Sequence, residues 1–437
     1  MLGNLGYRVV VLEKRADMRD QEVEGGRSIN LALARRGIHA LEKANLMDDV
    51  EKLLIPMRGR MLHSVAGKLD FVSYGQREEE IIYSVSRSGL NELMMSAAES
   101  SKQVELRFEQ ELNSIDFDNK KIFLQDLKKK QEQSVDYQVL IGADGAGSRV
   151  RRALLSAVDG NDHSELLDHD YKELTIPASS DGSHLIDRES LHIWPRGGYM
   201  LIALPNLDGS FTVTLFLQKQ GEPSFAMLKD KTSVDKFFKT EFADAFKLIP
   251  NLSDEFFENP TGILGTVRCT PWRLDESVLI MGDASHAIVP FHGQGMNAGF
   301  EDCTLFIDLL VKHNHDWPAA MTEFDRHRKD DADAIADMAL ENYVTMRDSV
   351  TDAKFRLKKE LGFELERRFP DRFVPRYSMV MFHRIPYSQA FLRGKIQDEI
   401  LDQLTDGKET IDEVDLKLGE DLVTARLPVA NFAKAEA

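Results

Sequence analysis

Cysteine is nearly missing from this 437-residue chain, which has only Cys269 and Cys303. That excludes a disulfide scaffold, and no Cys/His spacing has the form of a metal site. A reducing cytoplasm is the expected setting. No apolar run reaches the roughly 18 residues of a membrane span, so no membrane anchor is expected. The N-terminus lacks the basic stretch, apolar core and small-residue cleavage site of a secretory signal. Positive charge is in deficit. Lys and Arg number 55 against 73 Asp and Glu, a net charge of −18, which argues against nucleic acid or an anionic membrane as a main partner. There is no internal repeat, GxSxG elbow, HExxH or P-loop. No side chain is thereby marked as nucleophile or acid/base, and reactivity has to come from a cofactor.

What is present is organised around residues 278–302, VLIMGDASHAIVPFHGQGMNAGFED. Residues 278–281 read as a short buried strand. Gly282 and Asp283 end it, and Pro290 stops any helix begun at Ala284. Gly293 and Gly295 precede a helix starting near Met296 or Asn297. Glycines allow a ligand close to the backbone, and a helix N-terminus offers unpaired N–H groups and a positive dipole end. Asp283 adds one carboxylate at the strand's end. The order suits a ligand with a polyol arm and a ring that becomes anionic.

Along the chain, residues 1–6 resemble the last turn of a helix ending at Gly6. Residues 7–12, YRVVVL, read as a buried strand closed by Glu13. In a dinucleotide-binding βαβ unit, an acid at the end of the second strand binds a ribose hydroxyl, and a GxGxxG turn lies some 20 residues earlier. Twelve residues precede Glu13, so that turn is absent from this sequence. Residues 25–33, GGRSINLAL, lead into a helix at 36–43. Residues 57–74 form two β-rich pieces. A turn centred on Gly67 sets Arg60 opposite Tyr74, an arrangement able to grip a carboxylate or simply a solvated pair. The charge run 77–80 reads as a solvated loop. A strand ending near Ser86 feeds a helix with Leu90, Leu93, Met94 and Ala97 on one face. Arg87 sits at its start, either as a surface arginine or sharing a bound anion with the helix N-terminus.

Residues 104–144 read as strands with a hairpin tip at 128–132. They enter GADGAGSRVRR, a second glycine-rich turn containing Asp144 and Gly145. Residues 163–187 read as polar loop. Residues 191–217 form a hairpin turning at Asp208-Gly209, with Met200, Ile202 and Leu204 on one face. In its return strand Phe211, Val213, Leu215 and Leu217 oppose Thr212, Thr214 and Phe216. Both faces are partly apolar, as suits a pocket floor or plain core. Residues 233–257 read as helical, with an aromatic stripe. After Asp302 the chain is mostly helical. Ile335, Met338, Ala339, Met346 and Val350 share a face with Asn342, either a satisfied core amide or a ligand contact. Tyr377 lies in an amphipathic stretch, and the tail from Gly407 reads as exposed and partly disordered.

Residues 282–302 resemble the second flavin motif of the single-component FAD-dependent aromatic hydroxylases. Residues 142–151 resemble that family's DG motif, and Glu13 its ribose-binding acid. GRSINLAL, PMRGRMLHSVAG, YSVSRSGLN, ELTIP, HIWPR, LIALPN and ENYVTMR, spread over nearly the whole chain, resemble its kynurenine-hydroxylating members.

The resemblance implies an α/β (α+β) fold. A Rossmann-like FAD-binding domain would comprise residues 1–55, 81–165 and 265–325, incomplete at its N-terminus. A β-sheet substrate domain would comprise 56–80 and 166–264, followed by a helical region at 326–437. It implies FAD as cofactor, NADPH and O2 as co-substrates, and hydroxylation of L-kynurenine to 3-hydroxykynurenine through a flavin hydroperoxide. The setting is tryptophan catabolism and pyridine nucleotide biosynthesis. Arg60, Tyr74, Asn342 and Tyr377 would hold the substrate carboxylate. Met200, Ile202, Leu204, Phe216, Pro290, Phe291, His292 and Met346 would surround its ring. Glu13, Ala32, Arg87, Leu112, Asp144, Gly145, Thr175, Asp283, Gly293, Gly295, Met296 and Asn297 would bind FAD. Another aromatic acid as substrate, a non-catalytic flavin-fold fragment and homodimerisation stay open.

Overall fold

The computed structural model describes residues 1–20, 30–349, 352–430 and 432. Residues 25–29 of the GGRSINLAL piece, Val350 and the last five residues lie outside these. Among the described residues no helix is long and apolar enough to cross a membrane.

The alternating pattern at 191–217 becomes the middle of a seven-stranded sheet. Its order is Thr261–Thr266, Glu165–Ile176, Phe211–Gln218, Met200–Pro205, Ser190–Pro195, Gly59–His63 and Leu69–Ser73. Neighbours are antiparallel except Ser190–Pro195 and Gly59–His63, which run parallel. Side chains alternate across a strand, and here each face finds a cover. Leu201, Ala203, Phe211, Val213, Leu215 and Leu217 point back into a core with Phe238, Phe242 and Phe256. The aromatic stripe is therefore core, divided over three helices, Lys231–Glu241, Ala243–Leu248 and Leu252–Glu258. Each such side chain contributes roughly 1.5–3 kcal/mol by burial. Met200, Ile202 and Leu204 point forward, opposite Phe216, Thr214 and Thr212.

Four expectations need correction. Residues 163–187 are not mainly loop, because they contain the twelve-residue strand Glu165–Ile176. Its charges hide the alternation, yet Leu174 and Ile176 enter the rear core while Tyr171, Glu173 and Thr175 pair with Phe216, Thr214 and Thr212 on the front. The strand at Val9–Leu12 is shorter than read, and Val10 and Val11 are exposed, since among the described residues it pairs with Val104–Arg107 alone. The run 77–80 is solvated only in part. Glu80 is buried, accepting from the backbone N–H of Gln76 (2.6 Å) and Arg77 (3.0 Å). The tail is ordered structure as far as the Leu416–Arg426 helix, capped by Asp415. Val423 and Leu427 are buried against Leu361, Leu365 and Leu404.

Two small sheets position the other half of the site. Leu140–Gly142 lies parallel to Val278–Ile280. Asn30–Leu33 and Leu54–Met57 flank Ile82–Ser86. Helices Gly295–Lys312, Trp317–Val344, Ala353–Arg368, Arg376–Met381 and Tyr387–Leu404 follow.

Candidate active site

Two glycine-containing turns leave adjacent parallel strands side by side, with Met281 N–H donating to the Gly142 carbonyl (3.0 Å). In the first turn Gly145 has φ +78°. Asp144 is spent as a cap, accepting from the N–H of Arg149 (2.7 Å) and Val150 (3.2 Å) and from the Ser148 hydroxyl. It thereby holds the turn, with its side chain at the exposed surface. Buried Arg151 rivets the two turns, donating to the carbonyls of Ala146 (2.8 Å) and Ala284 (2.9 Å).

In the second turn Gly282 takes φ 60°, ψ −145°, backbone that is open only to glycine. Asp283 follows, exposed and in no ion pair among the described residues. The turn is braced from behind. Asp302 accepts from Gly282 N–H (2.8 Å), His286 Nε2 (2.6 Å) and Arg328 Nε (2.7 Å). These contacts outweigh the effect of burial and hold the Asp302 carboxyl down to about 2.

The Gly295–Lys312 helix begins at N-cap Gln294. Buried Gln294 accepts from the Tyr387 hydroxyl (2.7 Å). Gly293 has φ +67°, and a Cβ there would meet Ala32 Cβ at 3.0 Å. Asn297 differs from expectation. Its Oδ1 accepts from Ala34 N–H (2.9 Å), and its Nδ2 donates to the carbonyls of Ala32 and Gly293 (2.8 Å each). Fully buried, the carboxamide ties the Asn30–Leu33 strand to the helix start, leaving backbone N–H groups of Gly295, Met296 and Asn297 to face a ligand.

On the other side of residues 290–292 lies an apolar wall. Met200, Phe216, Phe291 and Met346 are buried in one cluster with Ile202 at its margin. Phe291 stacks on Tyr343 (3.9 Å between ring centroids, 18°) and meets Phe216 edge-on (4.8 Å, 64°). Leu204 belongs to the adjoining cluster with Tyr74 and Tyr377, and Pro290 is exposed at the rim. Asn342 donates to the Phe291 carbonyl (2.6 Å), fixing that loop.

At one end of the wall stands Arg60. The hairpin register is two residues off the expected one: Arg60 pairs with Val72, and Tyr74 N–H bonds Arg58. A shift of two preserves the face, so the partnership survives diagonally. The Arg60 guanidinium lies 5.6 Å from the Tyr74 ring and 5.0 Å from the Tyr377 ring. The two tyrosines stack at 5.6 Å, and His292 stacks on Tyr377 at 5.5 Å. No carboxylate among the described residues forms an ion pair with Arg60. Arg60 Nε, Tyr74 OH and His292 Nδ1 are buried without a hydrogen-bond partner of ordinary geometry. Arg60, Tyr74 and Tyr377 interact with one another, yet these three atoms lack a partner of ordinary geometry, which marks a position for a polar ligand. Burial, with Arg60 nearby, pushes His292 down to about 3, so it is neutral near pH 7. Burial raises both tyrosines.

The remaining expected residues sit on separate elements. Glu13 ends the Val9–Leu12 strand but accepts from Arg15 N–H (2.9 Å) and Nε (3.0 Å). Arg87 opens the Arg87–Ser100 helix, exposed, within electrostatic reach of Tyr171 and Glu173. Thr175 shares a sheet face with Glu173. Leu112 packs into the core beneath the first turn, and its carbonyl accepts from Arg149. Reasoning from sequence missed Tyr343, although it adjoins Asn342 in ENYVTMR, and missed the bracing by Asp302 and Arg328, whose partners are distant in the chain.

Residues 1–338 match the FAD binding domain family. The chain is 45% identical to the kynurenine 3-monooxygenase of Myxococcus xanthus over 98% of its length and 92% of the relative's. It is 44% identical to that of Stenotrophomonas maltophilia over 99% and 95%. Among solved structures, p-nitrophenol 4-monooxygenase PnpA of Pseudomonas putida superimposes with a TM-score of 0.65 at 17% identity, covering 84% of this chain and 89% of that one. PqsL of Pseudomonas aeruginosa in complex with 2-aminobenzoylacetate gives 0.64 at 19%, covering 79% and 92%. The solved structures establish a shared fold, that of FAD-dependent monooxygenases. By the family match and the two near-full-length relatives, the chain belongs to the kynurenine 3-monooxygenases of the FAD binding domain family.

Proposed function

We propose that this protein hydroxylates L-kynurenine at the ring carbon ortho to its amino group, using FAD, NADPH and O2. The observation that carries the reading is Arg60. A half-buried cation with a buried Nε and no carboxylate partner among the described residues is costly. It becomes favourable when a ligand brings the anion. The apolar wall of Phe216, Phe291 and Met200 beside it takes an aryl ring, so the site fits an amino acid with an aromatic side chain.

The residues present fit FAD. Asp283 offers an unpaired carboxylate for polyol hydroxyls. Gly282 and Gly293 keep the backbone open. The N-terminal amides of an 18-residue helix favour negative charge on a bound ring. Bound FAD supplies electron acceptance from NADPH and activation of O2. The chain's own part is positioning: Arg60 with Tyr74 and Tyr377 fixes the carboxylate, and the stacked Phe291–Tyr343 pair fixes the loop that orients the aryl group. The clustered apolar side chains exclude water. Neutral His292 adds no charge beside the ring, and no side chain is required as nucleophile. Both cysteines are free, which is compatible with a reducing cytoplasm.

Arg60→Ala tests the reading. Removing a charge-assisted contact of about 1.5–3 kcal/mol raises KM for kynurenine roughly ten- to a hundredfold. Turnover of simple hydroxybenzoates stays negligible in both forms. An unchanged KM, or preferential turnover of a hydroxybenzoate, assigns the site to another aromatic acid.

A further inference from the structure

Arg60 is not alone at the polar end of the site. On the Ala353–Arg368 helix, Phe355, Lys359 and Phe363 fall on one face at spacings of four. Phe355 packs at the margin of the cluster containing Met200, Phe216 and Phe291. The Lys359 ammonium lies 5.4 Å from the Phe363 ring. Between them, half-buried Lys359 donates to the carbonyl of Ser73, the residue before Tyr74. The helix thus brings a second nitrogen base to the side of the hairpin that holds Arg60. We propose that Lys359 is a second binding residue for the substrate's carboxylate, beside Arg60. The proposal rests on the assignment of that carboxylate to Arg60.

The surroundings offer Lys359 no other anion. Among the described residues it has no ion pair. Acids beside its helix are committed elsewhere: Asp70 to Arg356 and Asp402 to Lys358, while Glu366 of the same helix pairs with Arg77. Facing it are Arg60 from the Gly59–His63 strand, the Ser73 carbonyl from the next strand and Phe363 on its own helix. Tyr74 and Tyr377 stand beyond Arg60. Burial and then the charge of Arg60 push Lys359 down to about 7. The charge of Arg60 disfavours a proton on Lys359, and an anion bound beside both reverses that balance. Binding then draws one proton from solvent onto Lys359, turning a neutral amine into an ammonium against the carboxylate. Above about pH 7 this proton must be recruited, so affinity for kynurenine falls as pH rises.

The test compares Lys359→Met and Lys359→Arg with the wild type, and uses Arg60→Ala as the control. KM and kcat for kynurenine are measured from about pH 6 to 8.5. Binding enthalpy at about pH 8 is measured in two buffers of different ionisation enthalpy, with kynurenine and with its decarboxylated analogue. In the wild type KM rises with pH, and kynurenine binding takes up close to one proton. The decarboxylated analogue takes up none. Lys359→Met raises KM at about pH 6.5 by roughly tenfold, much more than it lowers kcat, and its pH dependence is flat. Lys359→Arg keeps a low KM, also flat, because arginine does not titrate in this range. Should Lys359→Met fail to fold, Lys359→Arg and proton uptake by the wild type decide. If the Lys359 variants match the wild type while Arg60→Ala collapses binding, the Lys359 assignment is wrong and the carboxylate site stands. If Arg60→Ala binds kynurenine normally, the carboxylate site itself is wrong.

Discussion

Asn297 makes three hydrogen bonds from a side chain with no exposed surface, to Ala32, Ala34 and Gly293. Gly37 depends on it too, since a Cβ there would meet Asn297 Oδ1 at 2.5 Å. Asn297→Leu leaves those backbone groups unpaired, at about 1–3 kcal/mol for each buried group. We expect a loss of at least about 2 kcal/mol in urea unfolding; a change within 0.5 kcal/mol either way contradicts this role.

Asp244 makes a second prediction at this scale. It accepts from His63 Nδ1 and Trp194 Nε1, both at 2.8 Å, and His63 Nε2 lies 2.8 Å from His192 Nδ1. Burial opposes ionisation, but these contacts hold the carboxyl at about 2 against an ordinary 3.8. A carboxyl depressed on folding stabilises above its unfolded value, and that contribution is lost as pH falls towards the folded one. Acid titration should therefore show the wild type losing stability between about pH 4 and 2 more steeply than Asp244→Asn. Superimposable slopes would remove Asp244 from the account. His192 and Trp194 come from HIWPR, a piece that resembles the family closely, yet they lie in the scaffold. Resemblance marked them without saying which task they perform. By contrast the shared face of Arg60 and Tyr74 was legible from alternation, because a two-residue error in register leaves both on one side of the hairpin.

At the scale of the element, the Gly295–Lys312 helix is bolted in place by charge. Arg328, from the Trp317–Val344 helix, pairs with Glu301 (2.8 Å) and Asp302 (2.7 Å), and Arg36 reaches Glu301 (3.1 Å). Arg36 and Arg328 lie over the ring of Tyr387 at 3.9 and 5.5 Å. All of these groups are buried. Removing one partner of a buried ion pair strands the others, so Arg328→Met should cost about 3–5 kcal/mol in chemical denaturation. A loss below about 1 kcal/mol would show that water or rearrangement satisfies the acids. The helix was legible from its glycines and apolar spacing, whereas its bolts were not: Arg328 is 26 residues from Asp302, and charged residues in a helix ordinarily face water. Glu165–Ile176 was missed for a related reason. Glu173 and Thr175 on its forward face, and Lys172 on its rear face with Leu174 and Ile176, interrupt the apolar alternation that identifies a strand.

Across the whole molecule, the seven-stranded sheet separates a rear apolar core from a front face that packs against Val289, Phe291 and the Trp317–Val344 helix. The sequence pattern at residues 191–217 carried both faces of that sheet, and residues 278–302 carried the strand, turn and helix order opposite. How the C-terminal helices approach was not legible, because amphipathic periodicity states which face is buried and not against what. That missing information concerned Tyr377 and Lys359, which arrive from the last 90 or so residues to complete the polar end around Arg60.

On the proposed function, these layers together hold kynurenine, through its carboxylate, for oxygen transfer to its ring. A decisive assay supplies the FAD-loaded protein with kynurenine and NADPH in air, and follows NADPH loss, O2 uptake and the hydroxylated product together. We expect kynurenine-dependent consumption of NADPH and O2 in equal amounts, with close to one 3-hydroxykynurenine formed per NADPH. NADPH oxidation that yields only hydrogen peroxide, or that is indifferent to kynurenine, would contradict it.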